Sequence, residues 1–464
     1  MPSGPEGFVT ESAYSTELNH AKELVLGHPG RWRIVYHYDG DGIASASSAV
    51  RALRRLGYAF QATPLVGVER ARMEEIIAAT RGPLWIVDTG ASWLDLYPKH
   101  PHPVVILDHH KYSDGAPPPA LPAHVALVNP LDWGVDGMTE LCAATLTWLF
   151  TIWLDPKNWD NAPWGLSGAI ADRQHQNGFR GLNARLVDEA AHRSLIERHR
   201  RLSLFGPTVV EALARSIDPY VRGVSARPAA ARDLLGALQI DPGRPLAQLD
   251  EAEERRLTSA LLTRLVQQGT RPEFVELLTQ DGYTLPSLGM DAQELSNLQN
   301  AAGRIGEPGI GVAIALGDPQ ALAHARAAEE QWRSGILEGL RRVEEKGVNL
   351  LRSIQWFESG EPTLAGTQAG LAMSYLLDPR RPTFVFTAAS DHVKVSGRGT
   401  QWLVSQGLDL ALVCRQAAGP VGGEGGGHRV AAGATIPIAG RDAFLSEADR
   451  LVGGQLPIPS ETAP

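Results

Sequence analysis

Three short segments of this chain end in acidic and histidine side chains of the kind that hold divalent cations. They are His37-Tyr-Asp39-Gly-Asp41-Gly42, Val87-Asp88-Thr89-Gly90 and Leu107-Asp108-His109-His110. Residues two apart on a strand project from the same face, so His37, Asp39 and Asp41 can converge on one point. A further carboxylate, Asp172, follows the apolar stretch Trp164–Ala171. Taken together, His37, Asp39, Asp41, Asp88, His109 and Asp172 supply four carboxylates and two imidazoles. Without cations the carboxylates repel one another and some must take up protons. Two divalent cations cancel the four charges and leave coordination positions open. Oxygen-rich ligands with two imidazoles suit manganese, with magnesium as the alternative. Two such ions roughly 3.5–4 Å apart clamp a phosphorus centre for in-line displacement.

Each segment alone has a plainer explanation, since Asp-Gly pairs make turns. Three consecutive strand ends bearing Asp or His do not, because such groups resist burial unless paired or bound to metal. The elements that must position them follow from the apolar pattern. Arg33–Tyr36, Leu84–Val87 and Val104–Leu107 are short and rich in β-branched residues, as strands buried on both faces should be. Helical stretches such as Ile43–Leu56 and Arg70–Ala79 lie between them, so the first third is expected to be α/β, with a parallel sheet and helices on both faces. In such sheets the binding crevice lies outside the carboxyl ends of the strands, where all three segments sit.

From Thr139 to about Lys346 the pattern is helical, with a Pro- and Gly-containing joint at Gly223–Pro245 and a long charged helix at Gln320–Lys346. A second mixed region follows, with strands expected at Asn349–Glu358, Thr383–Thr387 and His392–Val395 and helices at Gln368–Leu377 and Gln401–Gln416. The glycine run Gly422–Gly427, broken only by Glu424, lies between helix and strand. Expected boundaries are a catalytic domain at 1–194, a helical insertion and connecting helix at 195–347, a smaller C-terminal α/β substrate-binding domain at 348–458, and a tail at 459–464. The second chemical signal falls in the C-terminal part, in Gly425-Gly426-Gly427-His428 and Val393-Lys-Val-Ser396-Gly-Arg398. Glycines let backbone N–H groups approach a phosphate closely, while His428 and Arg398 supply charge-assisted contacts.

The ordered set HYDGDG, VDTG, LDHH and the Asp172 segment resembles the DHH phosphoesterase superfamily, and the glycine-histidine motif is similar to that of the DHH-associated substrate domain. The resemblance implies that Asp88 bridges two Mn2+ ions (Mg2+ as the alternative), with His37 and Asp39 on one and Asp41, His109 and Asp172 on the other. It implies that Asp108 orients a histidine, and that His110 meets the phosphate or acts as general acid. Ser396, Arg398, Gly426, Gly427 and His428 would contact substrate. The implied activity is hydrolysis of short nucleotide phosphodiesters such as linear dinucleotides, nano-RNA and cyclic dinucleotides, including cyclic di-AMP. RecJ-like exonuclease action on single-stranded DNA is the second reading, and a non-catalytic replication or repair scaffold the third.

Bulk properties narrow the partners. Over 464 residues the formal charge is −9, which favours a nucleotide or short oligonucleotide over a long single strand, whose phosphates call for a basic stripe. The insertion matches no nameable motif and leaves homodimerisation open. No apolar run is long enough to cross a membrane, and the two cysteines, Cys142 and Cys414, are too few for a disulfide framework; a cytoplasmic location is expected. The tryptophans 133, 148, 153, 159 and 164 are expected in the core, and His102 and His124 are expected bystanders.

Overall fold

The computed structural model describes residues 12–67, 70–112 and 118–456. The N-terminal stretch 1–10 and the expected tail at 459–464 lie outside the described residues. The chain divides into two compact units. The first holds the residues up to 201 together with 280–330; the second holds 202–279 and everything from 331 onward.

The first unit is built on five parallel strands, β1 (Arg31–His37), β2 (Ala59–Leu65), β3 (Leu84–Val87), β4 (Val104–Leu107) and β5 (Val125–Val128), in the order β2-β1-β3-β4-β5. β2 is not among the strands expected from the sequence. All four residues of β3 and all four of β4 are buried. Their side chains split between two faces. Trp85, Val87, Val105 and Leu107 join Trp32, Ile34 and Tyr36 in one core, while Ile86, Val104 and Ile106 join Val35, Met73 and Ile76 in another. Helices therefore cover both sides, as continuous apolar strands require. They include α1 (Ser12–Gly27), α2 (Gly40–Arg55), α3 (Arg70–Ala79), α4 (Ala143–Leu154), α5 (Ala162–Ala171) and α6 (Gly181–His192).

α4 is apolar all round and nearly wholly buried. Gly168 lets α5 lie against it, because a Cβ there would come 2.2 Å from the Ala144 Cβ. Trp148, Trp159 and Trp164 are buried, and Trp133 and Trp153 pack against the same core. Cys142 and Cys414 are buried thiols.

The stretch 195–347, expected as one helical insertion, is shared between the two units and carries strands β6 (Glu197–Leu202), β7 (Thr279–Leu285) and β8 (Met290–Asp291). The reason is the helix Ala292–Arg304. Its buried Leu295, Leu298, Gln299 and Ala302 follow helical spacing and fasten it to α2 and α5.

The second unit contains a six-stranded sheet. Its strands are β9 (Asn349–Leu350), β10 (Gln355–Glu358), β11 (Thr383–Ala388), β12 (His392–Arg398), β13 (Glu424–Gly427) and β14 (Ala431–Pro437), in the order β13-β14-β12-β11-β10-β9. Two sequence expectations change here. Asn349–Glu358 is a pair of antiparallel strands, β9 and β10. Gln401–Gln416 is two helices, Gln401–Ser405 and Leu410–Ala418, the second started by Asp409, whose side chain accepts from the Leu412 N–H.

Candidate metal centre

In the order β2-β1-β3-β4-β5 the chain reverses direction of travel between β1 and β3, and the crevice of such a sheet opens there, beyond the strand ends. His37 ends β1, Asp88 follows β3, and Asp108 and His109 follow β4. The turn from β1 into α2 is tight. Asp39 caps α2, its Oδ1 accepting from the Gly42 N–H at 3.2 Å. A side chain at 42 has no room, since a Cβ would sit 2.1 Å from the His37 carbonyl oxygen. Asp39 Oδ2 is thereby left to face His37 Nδ1 at 3.0 Å.

Asp88 is the hub. It is 2% exposed and adopts a left-handed backbone conformation with φ 58°. That region is costly for most L-residues and tolerated by Asp, and strain of this kind gathers at functional positions. One oxygen, Oδ2, lies 3.6 Å from His37 Nδ1; the other, Oδ1, lies 3.3 Å from His109 Nε2 and 3.9 Å from His110 Nδ1. Oδ1 is buried and, among the described residues, accepts no well-formed hydrogen bond.

On the far side, His109 Nε2 is 3.7 Å from Asp41 Oδ2. Potential ligand atoms fall into three groups, each within 4.8 Å: His37 with Asp39 and Asp88; Asp41 with His109 and Asp172; and Asp88 with His109 and His110. Asp172, at the C-terminal cap of α5, enters through the second.

This donor set fits divalent cations. The His109 Nδ1 meets the Gly137 carbonyl at 2.6 Å. A carbonyl only accepts, so Nδ1 carries the proton and Nε2 can turn a lone pair inward, the usual arrangement of a metal-ligating histidine. The electrostatics agree. Two like charges about 4 Å apart repel by about 4 kcal/mol at an effective dielectric of about 20. Burial first, and then the neighbouring Asp88 and Asp172, push the Asp41 carboxyl well above its ordinary range. Burial pushes Asp172 up to about 6. Burial would also raise Asp88, but the His109 and His37 imidazoles outweigh it and hold that carboxyl well below the usual range. His37 goes the other way for a histidine that is mostly buried: desolvation opposes its charge, yet Asp39 and Asp88 push it up to about 11. Without cations, protons perform the neutralisation.

Asp108 stands outside this cluster. Its Oδ1 accepts from His110 Nδ1 at 2.8 Å and from the His109 N–H at 2.8 Å, and its Oδ2 accepts from the Ala91 N–H at 2.8 Å. His110 is thus pinned by one nitrogen while its side chain is 51% exposed. Asn129 is fully buried and donates from Nδ2 to the His110 carbonyl at 3.0 Å.

Several supporting residues went unread in the sequence because nothing in their spacing marks them. Asn300 Oδ1, from the helix Ala292–Arg304, accepts from the Gly40 N–H at 3.1 Å. Both oxygens of Asp41 accept from the first turn of α4, at 3.0 Å from the Ala143 N–H and 2.9 Å from the Ala144 N–H. Gln174 braces Asp172. His175, which its place three residues after Asp172 already sets near the site, is half-buried, and desolvation of its ring pulls it down to about 4.

In the second unit the glycine run is itself a strand, β13, at the sheet edge. Register places Ser396 opposite Gly433 and Gly433 opposite Gly426, and Arg398 opposite Ala431. His428 and Ala431 exchange backbone hydrogen bonds at 2.8 and 3.2 Å. Directly opposed residues share a face, so Ser396, Arg398, Gly426 and His428 line one side of the sheet. The glycines serve different ends. A Cβ on Gly425 would come 2.3 Å from the Cys414 carbonyl, so the helix Leu410–Ala418 demands that glycine, whereas a Cβ on Gly426 would meet nothing within 4 Å among the described residues. Gly427 has φ 134° and turns the hairpin.

Comparison with known proteins follows the same division. The DHH family, N-terminal domain matches residues 31–168, and the DHHA1 domain matches residues 364–454. An uncharacterized protein of Methanocaldococcus jannaschii is 28% identical over 445 residues, covering 94% of this chain and 96% of that one. Among solved structures, the exonuclease RecJ bound to manganese is similar with a TM-score of 0.60 at 19% identity, over 97% of each chain. CDC45 from Entamoeba histolytica is similar with a TM-score of 0.66 at 9% identity, over 97% of this chain and 99% of that one. RecJ in complex with Mn2+ from Thermus thermophilus gives 0.57 at 19% identity, over 96% of this chain, which spans only 55% of that protein. These identities speak to fold. With both family domains present in order and a fold shared with RecJ, the chain belongs to the DHH phosphoesterase superfamily.

Proposed function

We propose that the protein is a manganese-dependent, two-metal phosphodiesterase that hydrolyses short nucleotide phosphodiesters. The observation that carries this reading is Asp88, whose two oxygens face separate groups of ligand atoms, His37 on one side and His109 on the other. Two cations held there would supply positive charge to a phosphoryl oxygen and a water of lowered pKa for in-line attack.

The chain's own groups do the rest. Asp39 and His37 would hold one cation and Asp41, His109 and Asp172 the other, with Asp88 between the two groups. His110 donates a proton to the leaving oxygen. Burial opposes its charge, but the hydrogen bond to Asp108 raises its pKa, favouring the protonated form that a general acid needs. The face bearing Ser396, Arg398 and His428 offers charge-assisted contacts to a phosphate, with Gly426 leaving the backbone open.

The charge of −9 favours a small substrate. A second reading, exonucleolytic shortening of single-stranded DNA, draws on the likeness to RecJ over 97% of both chains. A manganese-dependent assay offering cyclic di-AMP, its linear dinucleotide and a long 5′-labelled single strand separates the two. Rapid turnover of the dinucleotides with little attack on the strand is expected. Progressive shortening of the strand, lost as salt rises, would instead favour the exonuclease.

A further inference from the structure

The ligands of the two cation positions are held very differently. On one side, the His37 and Asp39 side chains are 18% and 37% exposed, and among the described residues Asp39 takes its backbone hydrogen bond from Gly42 alone. On the other side, the Asp41 and His109 side chains are 5% and 3% exposed, Asp172 is half-buried, and every ligand has an outer partner. Asp41 is held by two backbone N–H groups of α4. His109 and Asp172 are joined through one buried side chain, Gln174, which lies beyond the segment matched by the family's N-terminal domain.

Gln174 is 5% exposed. Its Nε2 donates to the Gly137 carbonyl at 2.7 Å, the same oxygen that accepts from His109 Nδ1 at 2.6 Å, and to Asp172 Oδ2 at 2.7 Å. Its Oε1 accepts from Asn183 Nδ2 at 2.6 Å. A carbonyl and a carboxylate only accept, so the amide has one orientation consistent with its neighbours. Both of its hydrogens are committed to the metal-ligand network, and its oxygen is committed to an anchor on α6 that is itself fully buried.

We propose that Gln174 is a positioning residue that ties His109 and Asp172 into one rigid pair and makes the Asp41/His109/Asp172 position the tighter of the two cation positions. This rests on the two-metal reading above. A ligand whose rotamer is already locked loses little freedom on binding, whereas an exposed one must be ordered at that moment. The His37/Asp39 position is accordingly the exchangeable one, and activity at low manganese follows its filling.

The test is a titration of the metal-free, full-length protein with Mn2+ alone, reading free ion by its electron paramagnetic resonance. Wild type is expected to show two classes of site. Gln174→Met keeps the shape and removes both donors; the tight class should weaken by about 10–100-fold, the usual effect of an outer partner, while the weak class keeps its affinity. Asp39→Ala should do the reverse. Survival of one class in each variant shows that the protein is folded. If Gln174→Met does not fold, Asn183→Ala frees only the far end of the amide and should weaken the tight class by a smaller factor. No change in either variant, or equal weakening of both classes, overturns the proposal. Fewer than two ions on wild type overturns the two-metal reading itself, and this inference with it.

Discussion

His109 directs Nε2 toward Asp88 Oδ1 at 3.3 Å while its Nδ1 is engaged by the Gly137 carbonyl at 2.6 Å. The backbone thereby fixes which nitrogen faces the carboxylates, before any cation arrives. Asp88 in turn is aimed by its own left-handed backbone. The pair sits where β3 and β4 end, so its spacing is set by a buried parallel sheet and not by a loop.

Asp41 and Asp39 are two residues apart but should respond differently to removal. Asp41 accepts from two backbone N–H groups at the start of α4, where the Cys142 side chain does not cap the helix's own N–H groups. Each buried donor left unsatisfied costs about 1–3 kcal/mol. Asp41→Ala is therefore expected to lower the melting temperature of the metal-free protein, and Asp39→Ala to change it much less. The comparison belongs at mildly acidic pH, where the raised carboxyls hold protons and their mutual repulsion falls away. Equal melting temperatures for the two variants would show that Asp41 does not anchor α4.

Stabilisation by manganese should grow as pH rises. The Asp172 carboxyl, raised by burial from 3.8 to about 6, contributes to metal-free stability below 3.8, and this is lost as pH climbs through about 6. His37, raised to about 11, contributes below 6.5 and keeps contributing until pH approaches its folded value. Cations must displace protons from both, so they bind better where those protons are held less firmly. The rise in melting temperature on adding Mn2+ should be small at pH 5 and large at pH 8. A rise that is the same at both would mean that the ions do not use these side chains.

The two adjacent glycines of β13 make a paired prediction. Gly425→Ala forces a Cβ to within 2.3 Å of the Cys414 carbonyl and should destabilise the protein by about 1–3 kcal/mol, as overpacking does. A Cβ at Gly426 has no neighbour within 4 Å among the described residues, so Gly426→Ala should spare stability while raising KM. His428→Ala should raise KM about tenfold, about 1.4 kcal/mol of lost binding, without altering manganese affinity. Unchanged KM in both of the last two variants would remove this face from substrate binding.

Much of the first unit was legible because its signals are local. Buried parallel strands read as unbroken β-branched runs, and Leu84–Val87 and Val104–Leu107 stand where the sequence placed them. Ala59–Leu65 was missed because an edge strand with Gln61 and Pro64 lacks that signature. The cluster His37, Asp39, Asp41, Asp88, His109 and Asp172 could be assembled because each residue sits at a strand or helix end. Gln174, Asn300 and the Gly137 carbonyl could not, since polar residues in helices and turns look alike until packing shows which are buried. The helix Ala292–Arg304 illustrates the limit: its amphipathic pattern is plain, but its docking on α2 and α5 pairs surfaces far apart along the chain.

The most direct test is hydrolysis of a linear dinucleotide by wild type and by Asp88→Asn, each with Mn2+ and after chelation. Asn tolerates the left-handed backbone at this position, so the variant should fold. Wild type should turn over only with the ion, and Asp88→Asn should lose about 1,000-fold or more in kcat, about 4 kcal/mol of barrier. Turnover that survives chelation, or that persists in Asp88→Asn at the wild-type rate, would contradict a two-metal centre bridged by Asp88.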